Sequence, residues 1–194
     1  MTRMVLLGPP GAGKGTQAAR ICERLSIPAI STGDIFRANV SRGTELGERA
    51  RQYMDRGEYV PDSVTNAMVA DRLTEADAAR GFLLDGYPRT EAQVHELDAM
   101  LADSGLALDV VLEITADAEV VVDRLLRRAT EQNRADDTEP VIRRRLEVYA
   151  EATAPLASLY EDRGLLVRVD GTGDVDEVTE RLPKIGRASC RERV

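Results

Sequence analysis

At 194 residues, 43% hydrophobic and 31% charged, the chain has the length and balance of one soluble domain with a sizeable core. No run approaches the roughly 18 consecutive apolar residues of a membrane span, and a net charge of −8 speaks against a nucleic-acid binder held by phosphate contacts. Two cysteines (Cys22, Cys190) and one histidine (His95) exclude a disulfide framework and a His- or Cys-built metal site, and the expected compartment is a reducing cytoplasm.

Short Val-, Ile- and Leu-rich runs alternate with helical patterns: VLLG (5–8), PAIS (28–31), FLLDG (82–86), DVVLEI (109–114) and LLVRVDG (165–171). They are too short for helices and do not alternate with polar residues, as expected of strands buried on both faces. The pattern predicts an α/β fold, a five-stranded parallel sheet flanked by helices, with ligands at the carboxyl ends of the strands.

After the first strand comes GPPGAGKGT (8–16). Gly8, Gly13 and Lys14 fit the phosphate-loop pattern G-x-x-x-x-G-K-[ST], but Gly15 follows the lysine and the hydroxyl arrives one place late as Thr16. Glycines let backbone N–H groups turn inward around an anion, the following helix adds its N-terminal partial charge, and Lys14 can reach the β- and γ-phosphates. A simple Gly-Pro turn would explain Pro9 and Gly11 but not three more glycines around a lysine. In the helix that follows, Ala18, Ile21, Cys22 and Leu25 recur at helical spacing, so Cys22 reads as a core residue.

Residues 32–75 run through several helical stretches before the third strand, which ends in Asp85. In the next helix Thr90 and Gln93 fit a capping box, T-x-x-Q, and His95 reads as a solvated surface residue. On helix 117–128, Arg124 and Arg128 stand four apart on one face; a shared anion would explain two like charges there, and a solvated basic edge is the alternative. A polar stretch, RATEQNRADDT (128–138), then interrupts two strong helices. Helix 140–156 opens after Thr138 with Pro140 in its first turn. Val141, Ile142, Leu146, Val148, Tyr149, Ala152 and Leu156 form its apolar stripe; Arg143 points away, Arg144 lies on the flank and Arg145 near the middle. An inward arginine needs an anion, either a phosphate cluster or a buried carboxylate.

These motifs resemble the adenylate kinases of bacteria, within the nucleoside monophosphate kinases of the P-loop NTPase fold. GxPGxGKGT, with glycine after the lysine and threonine next, is that family's loop, so the shifted hydroxyl narrows the family. ISTGDIFR (30–37), GFLLDGYPRT with Gln93, DRLLRR (123–128), RADDTEPVIRRRLEVY (134–149) and VDGTG (169–173) match it in order over residues 1–182. The resemblance implies reversible, Mg²⁺-dependent phosphoryl transfer from ATP to AMP, giving two ADP.

Carried over residue by residue, it places Gly11, Ala12, Gly13, Lys14, Gly15, Thr16, Arg124, Arg128 and Gly173 on ATP. It places Thr32, Arg37, Glu58, Tyr59, Val60, Gly86, Tyr87, Pro88, Arg89 and Gln93 on AMP, with Val60 beneath the base and Gln93 reading the adenine edge. Arg134 resembles the lid arginine that closes on the transferring group, and Arg145 a phosphate ligand; both also count toward the AMP side. Lys14, Arg89, Arg124, Arg134 and Arg145 are the expected catalytic set. Mg²⁺ would be held through water near Asp85, Asp34 and Thr16. The lid, with no cysteines, resembles the short form and excludes zinc; its alignment leaves Arg127 and Arg128 exchangeable, and a plain turn at Gly173 stays open.

The expected organisation is a domain over 1–182, with an AMP-binding insert at about 31–60 and a lid at about 128–138, then a tail over 183–194. GRASCRERV (186–194) has no periodicity and reads as a cloning scar or unrelated tail. The expected partners are ATP, AMP and ADP, with no nucleic acid and no membrane, and the expected state is a cytoplasmic monomer. A UMP/CMP kinase is the nearest rival, though asparagines after the G-x-P-R motif are absent (TEAQ follows). A nucleotide switch without transferase activity is another, but it would carry a hydroxyl beside Lys14 and an N-K-x-D motif.

Overall fold

The computed structural model describes residues 1–131 and 138–182. All five apolar runs are strands: β1 (Thr2–Leu7), β2 (Ala29–Ser31), β3 (Gly81–Asp85), β4 (Val110–Thr115) and β5 (Leu166–Asp170). They pair in parallel in the order β2-β3-β1-β4-β5. Nine helices are described: α1 (Lys14–Leu25), α2 (Thr32–Arg42), α3 (Glu45–Met54), α4 (Asp62–Leu73), α5 (Glu91–Ala102), α6 (Ala118–Glu131), α7 (Glu139–Val148), α8 (Leu156–Asp162) and α9 (Val175–Arg181).

Successive strand residues point to opposite faces, and both faces are covered. Met4, Leu6, Leu83 and Leu112 pack with Ala18, Ile21 and Cys22 of α1 and Val178 of α9. Val5, Leu7, Phe82, Leu84 and Val111 pack with Val69 of α4, Val94 and Leu97 of α5, and Leu156 and Tyr160 of α8. Apolar side chains on both faces explain why the runs carry no polar alternation. At about 1.5–3 kcal/mol per fully buried aliphatic side chain, these two layers dominate the folding energy. Cys22 belongs to the core as its spacing predicts, and burial pushes its thiol up to about 11.

The α2–α3 pair has a small apolar cluster of its own, Phe36, Ala50 and Val60. Gly47 allows the two helices to touch, because a Cβ there would collide with the Asn39 backbone. On the other side, Val121 and Leu125 of α6 meet Ile142 of α7. α6 continues to Glu131, so Arg128 to Glu131 of the expected lid form its last turn.

The predicted helix 140–156 is not one regular helix. α7 ends at Val148, a π turn occupies Tyr149–Thr153, and α8 begins at Leu156. Pro155 supplies the reason: it has no N–H for the Glu151 carbonyl and its ring would strike it. The Ala154 N–H donates instead to the Tyr149 carbonyl at 2.8 Å. The wider turn changes which side chains face inward, and Thr153 is buried there.

Register aligns the carboxyl ends of the central strands. Asp85 pairs with Leu6 on one side and Ser31 on the other, so the loops after β1, β2 and β3 open along one edge.

Candidate functional site

A cavity of about 910 Å³ lies along that edge, lined by the 10–17 loop, the 31–37 turn, the 57–60 segment, Asp85 to Arg89 without Tyr87, and α6 and α7. Its floor is the loop between β1 and α1. Gly13, the α1 N-cap, is left-handed at φ 92°, and no side chain caps the helix. The first-turn N–H groups, which no helical bond can satisfy, therefore meet the cavity wall that Gly13, Lys14, Gly15 and Thr16 form. Gly11, at φ 83°, lies against α6, where a Cβ would press on the Val121 carbonyl and Leu125. That contact ties the loop to the helix carrying Arg124 and Arg128.

Lys14 donates from Nζ to the Gly8 and Pro9 carbonyls at 2.7 and 2.9 Å. Burial lowers its pKa to about 8; Asp85 pulls it back up, while Arg89 and Arg128 push it further down. The ammonium thus sits buried between one carboxylate and two arginines, a setting in which an incoming polyphosphate would favour its charged form. Arg127 and Arg128 both line the cavity, and Arg128 acts on Lys14. Arg124 donates to the Gly171 and Gly173 carbonyls at 3.1 and 3.4 Å, joining α6 to the loop after β5.

Most of the expected acceptor residues line the same cavity. Thr32 donates its hydroxyl to the Gly86 carbonyl at 2.9 Å, and Arg89 donates from Nε to the same oxygen at 2.7 Å. Arg37 pairs with Asp34 at 2.6 Å across one turn of α2. Glu58, Tyr59, Val60, Gly86, Pro88 and Gln93 line the wall. Tyr87 does not: it is buried in the core, joined to Pro88 by a cis peptide bond, and its hydroxyl donates to Asn66 at 2.9 Å. Backbone turning at the Gly86–Arg89 corner sends this side chain beneath the wall.

The three arginines of α7 separate as their phase on the helix requires. Arg143 pairs with Glu139 in solvent, Arg144 with Glu58 at 2.8 Å, and Arg145 reaches the cavity. Gln93 shows half of a capping box: Thr90 Oγ accepts from its N–H, but its side chain takes the N–H of Arg89, one residue early. Arg134 lies outside the described residues, as do most of the expected lid and the 183–194 tail. His95 is exposed on α5 near Glu91, as expected.

Two participants were missed from the sequence. Thr153 donates to the Arg89 carbonyl at 2.8 Å and, its single hydrogen being so used, accepts from the Tyr59 hydroxyl at 2.8 Å. The Tyr59 ring lies under the Arg89 guanidinium, 4.8 Å from centroid to carbon. Asp62 is the second, and it holds the Gln93 amide. A lone threonine beyond an interrupted helix and an aspartate in a helix first turn carry no motif by themselves.

Oxygen donors suited to a hard cation, the Thr16 hydroxyl and the Asp85 carboxylate, stand on the cavity wall beside the phosphate loop. Among the described residues no three His, Cys, Asp or Glu side chains converge on one point.

The adenylate kinase family model matches residues 6–165. Over 182 residues the chain is 66% identical to the adenylate kinase of Kocuria rhizophila, covering 94% of this chain and 97% of that protein. It is 63% identical to that of Thermobifida fusca, covering 92% and 95%, and 61% identical to that of a Nocardioides species, covering 93% and 94%. With a phosphate loop of the G-K-G-T kind and the arginines Arg37, Arg89, Arg124, Arg128 and Arg145 lining one cavity, the chain belongs to the adenylate kinase family.

Proposed function

We propose how this adenylate kinase divides the work of moving the γ-phosphoryl group of ATP reversibly to AMP, giving two ADP. The observation that carries the reading is that one cavity is lined both by Lys14 and the α1 N-terminus and by Thr32, Arg89 and Gln93. The loop from Gly11 to Thr16 cradles the ATP phosphates and Lys14 neutralises the β- and γ-oxygens. Gly173 and Arg124 support the ATP base side. Arg37 and Arg89 hold the AMP phosphate, Val60 packs beneath its base and Gln93 reads its edge.

An oxygen of the AMP phosphate attacks the γ-phosphorus in line as the bond to the β-bridging oxygen breaks and ADP leaves. The attacking oxygen is already an anion, so no general base is needed. Charge spreads onto the transferring oxygens, and Lys14, Arg124, Arg128 and Arg145 offset it, with Arg134 brought in from the lid. Mg²⁺ entering with ATP would be held through water by Thr16 and Asp85 and would there offset phosphate charge. Asp34, which also lines the cavity, is engaged by Arg37. Closure of the insert (31–60) and the lid (128–138) over both substrates excludes water, which would otherwise accept the phosphoryl group. No helix of the described residues is long and apolar enough to cross a membrane; a cytoplasmic monomer remains our reading.

The direct test is ADP formation from ATP and Mg²⁺ with AMP, GMP, CMP and UMP in parallel. Rapid turnover with AMP alone is expected. Preference for a pyrimidine would overturn the acceptor wall while leaving the phosphate loop in place.

A further inference from the structure

Gln93 is 1% exposed, and its side-chain amide is already half used. Oε1 accepts the Arg89 N–H at 2.7 Å, and Nε2 donates to Oδ1 of Asp62 at 2.7 Å. The two partners are unambiguous: a backbone N–H only donates, and a carboxylate only accepts, so the amide has one orientation. Asp62 is itself fixed, since its other oxygen accepts the Thr90 hydroxyl at 2.8 Å while that hydroxyl caps α5. A primary amide has two lone pairs and two hydrogens. One of each remains on Gln93, where its side chain borders the cavity.

An acceptor beside a donor complements a 6-aminopurine, whose amino group donates and whose N1 accepts. A 6-oxopurine presents the reverse pair. Turning the amide over would suit the oxo base, but would place Nε2 against the Arg89 N–H and Oε1 against the Asp62 carboxylate. We propose that Asp62 is a positioning residue that sets acceptor-base specificity: by holding the Gln93 amide in this orientation, it makes the site take 6-amino purine monophosphates and refuse 6-oxo ones. The inference rests on Gln93 reading the base.

AMP and IMP isolate the effect, because they share ribose and phosphate and differ only at position 6 and the N1 proton. In the full-length protein, kcat/KM for each is compared in the wild type, Asp62→Asn, Asp62→Ala and Gln93→Ala, with KM for ATP as the control on the fold. The expected result is that either Asp62 variant lowers the AMP-over-IMP ratio by about tenfold or more, the factor one misplaced buried hydrogen bond supplies, with KM for ATP unchanged. Arg89 N–H still favours the original orientation in these variants, so part of the preference should persist. A ratio within about twofold of wild type in both Asp62 variants, with Gln93→Ala collapsing it, overturns the role of Asp62 and keeps Gln93 as the reader. A ratio untouched by Gln93→Ala overturns the base-reading assignment and the proposal with it.

Discussion

At the phosphate-loop end of the cavity, position is set by backbone: Gly13 caps α1, Gly11 abuts Val121, and β1 lies in the centre of a sheet buried on both faces. At the acceptor end, α2 and α3 rest on a cluster of three buried apolar residues, Phe36, Ala50 and Val60. Side chains hold this end to the rest: Glu58 to Arg144, Tyr59 to Thr153, and the Tyr59 ring to Arg89. Backbone walls surrounded by a large core are preorganised and costly to deform, whereas a half-exposed ion pair such as Glu58 with Arg144 exchanges readily with water. The contrast teaches that the phosphate-loop side is fixed by backbone and core while the α2–α3 insert is held by a small cluster and a few side-chain contacts, a division that suits an enzyme that must admit two nucleotides and then exclude water.

The largest effect should come from the rigid end. Lys14→Met should lower kcat by about 10³-fold or more, because a preorganised cation at the transferring phosphoryl group is lost; steady-state ADP formation reads it, and turnover near wild type would remove Lys14 from the chemistry. The same lysine should impose a pH dependence. Its pKa in the free protein is lowered to about 8, so the charged form that greets ATP is depleted as pH rises through 8. ATP affinity, measured by calorimetry, should decline above that pH in the wild type and lose this dependence in Lys14→Met. A flat profile in the wild type would mean that the ammonium keeps its ordinary pKa.

A smaller, one-sided effect should come from the junction between the two ends. Thr153→Val keeps the shape but removes the hydroxyl that joins Tyr59 to the Arg89 carbonyl. KM for AMP should rise by about five- to tenfold, the loss of one or two buried hydrogen bonds, while KM for ATP stays put and Thr153→Ser restores the wild-type value. Equal changes in both constants would make Thr153 a general stabiliser of the π turn instead.

The smallest effect should fall on the exposed latch. Arg144→Ala removes a pair whose side chains are 39% and 37% exposed, so amide exchange in residues 55–60 should accelerate by no more than about fivefold. A much larger change would mean that this ion pair, and not the apolar cluster, holds the insert against α7.

Strands, phosphate loop and the inward face of α7 were legible in the chain because each depends on neighbours a few residues away. Apolar runs without alternation announce two covered sheet faces, glycines around a lysine announce a nest, and helical phase alone puts Arg145, not Arg143 or Arg144, on the cavity. The break after Val148 was misread from the same chain, since the apolar stripe continues to Leu156 and hides what Pro155 does to the hydrogen bonds before it. The resemblance puts Tyr87 on the nucleotide, yet its ring is buried in the core.

What the sequence by itself determined is the set of local conformations and the family they spell. Only the tertiary structure decided which atoms complete the acceptor wall. Asp62 meets Gln93 across 31 residues, Thr153 meets Arg89 across 64 and Tyr59 across 94. Such hydrogen bonds have no period and no spacing rule; they exist because β3 and the segments around it bring distant turns to one edge, where buried polar atoms must find partners.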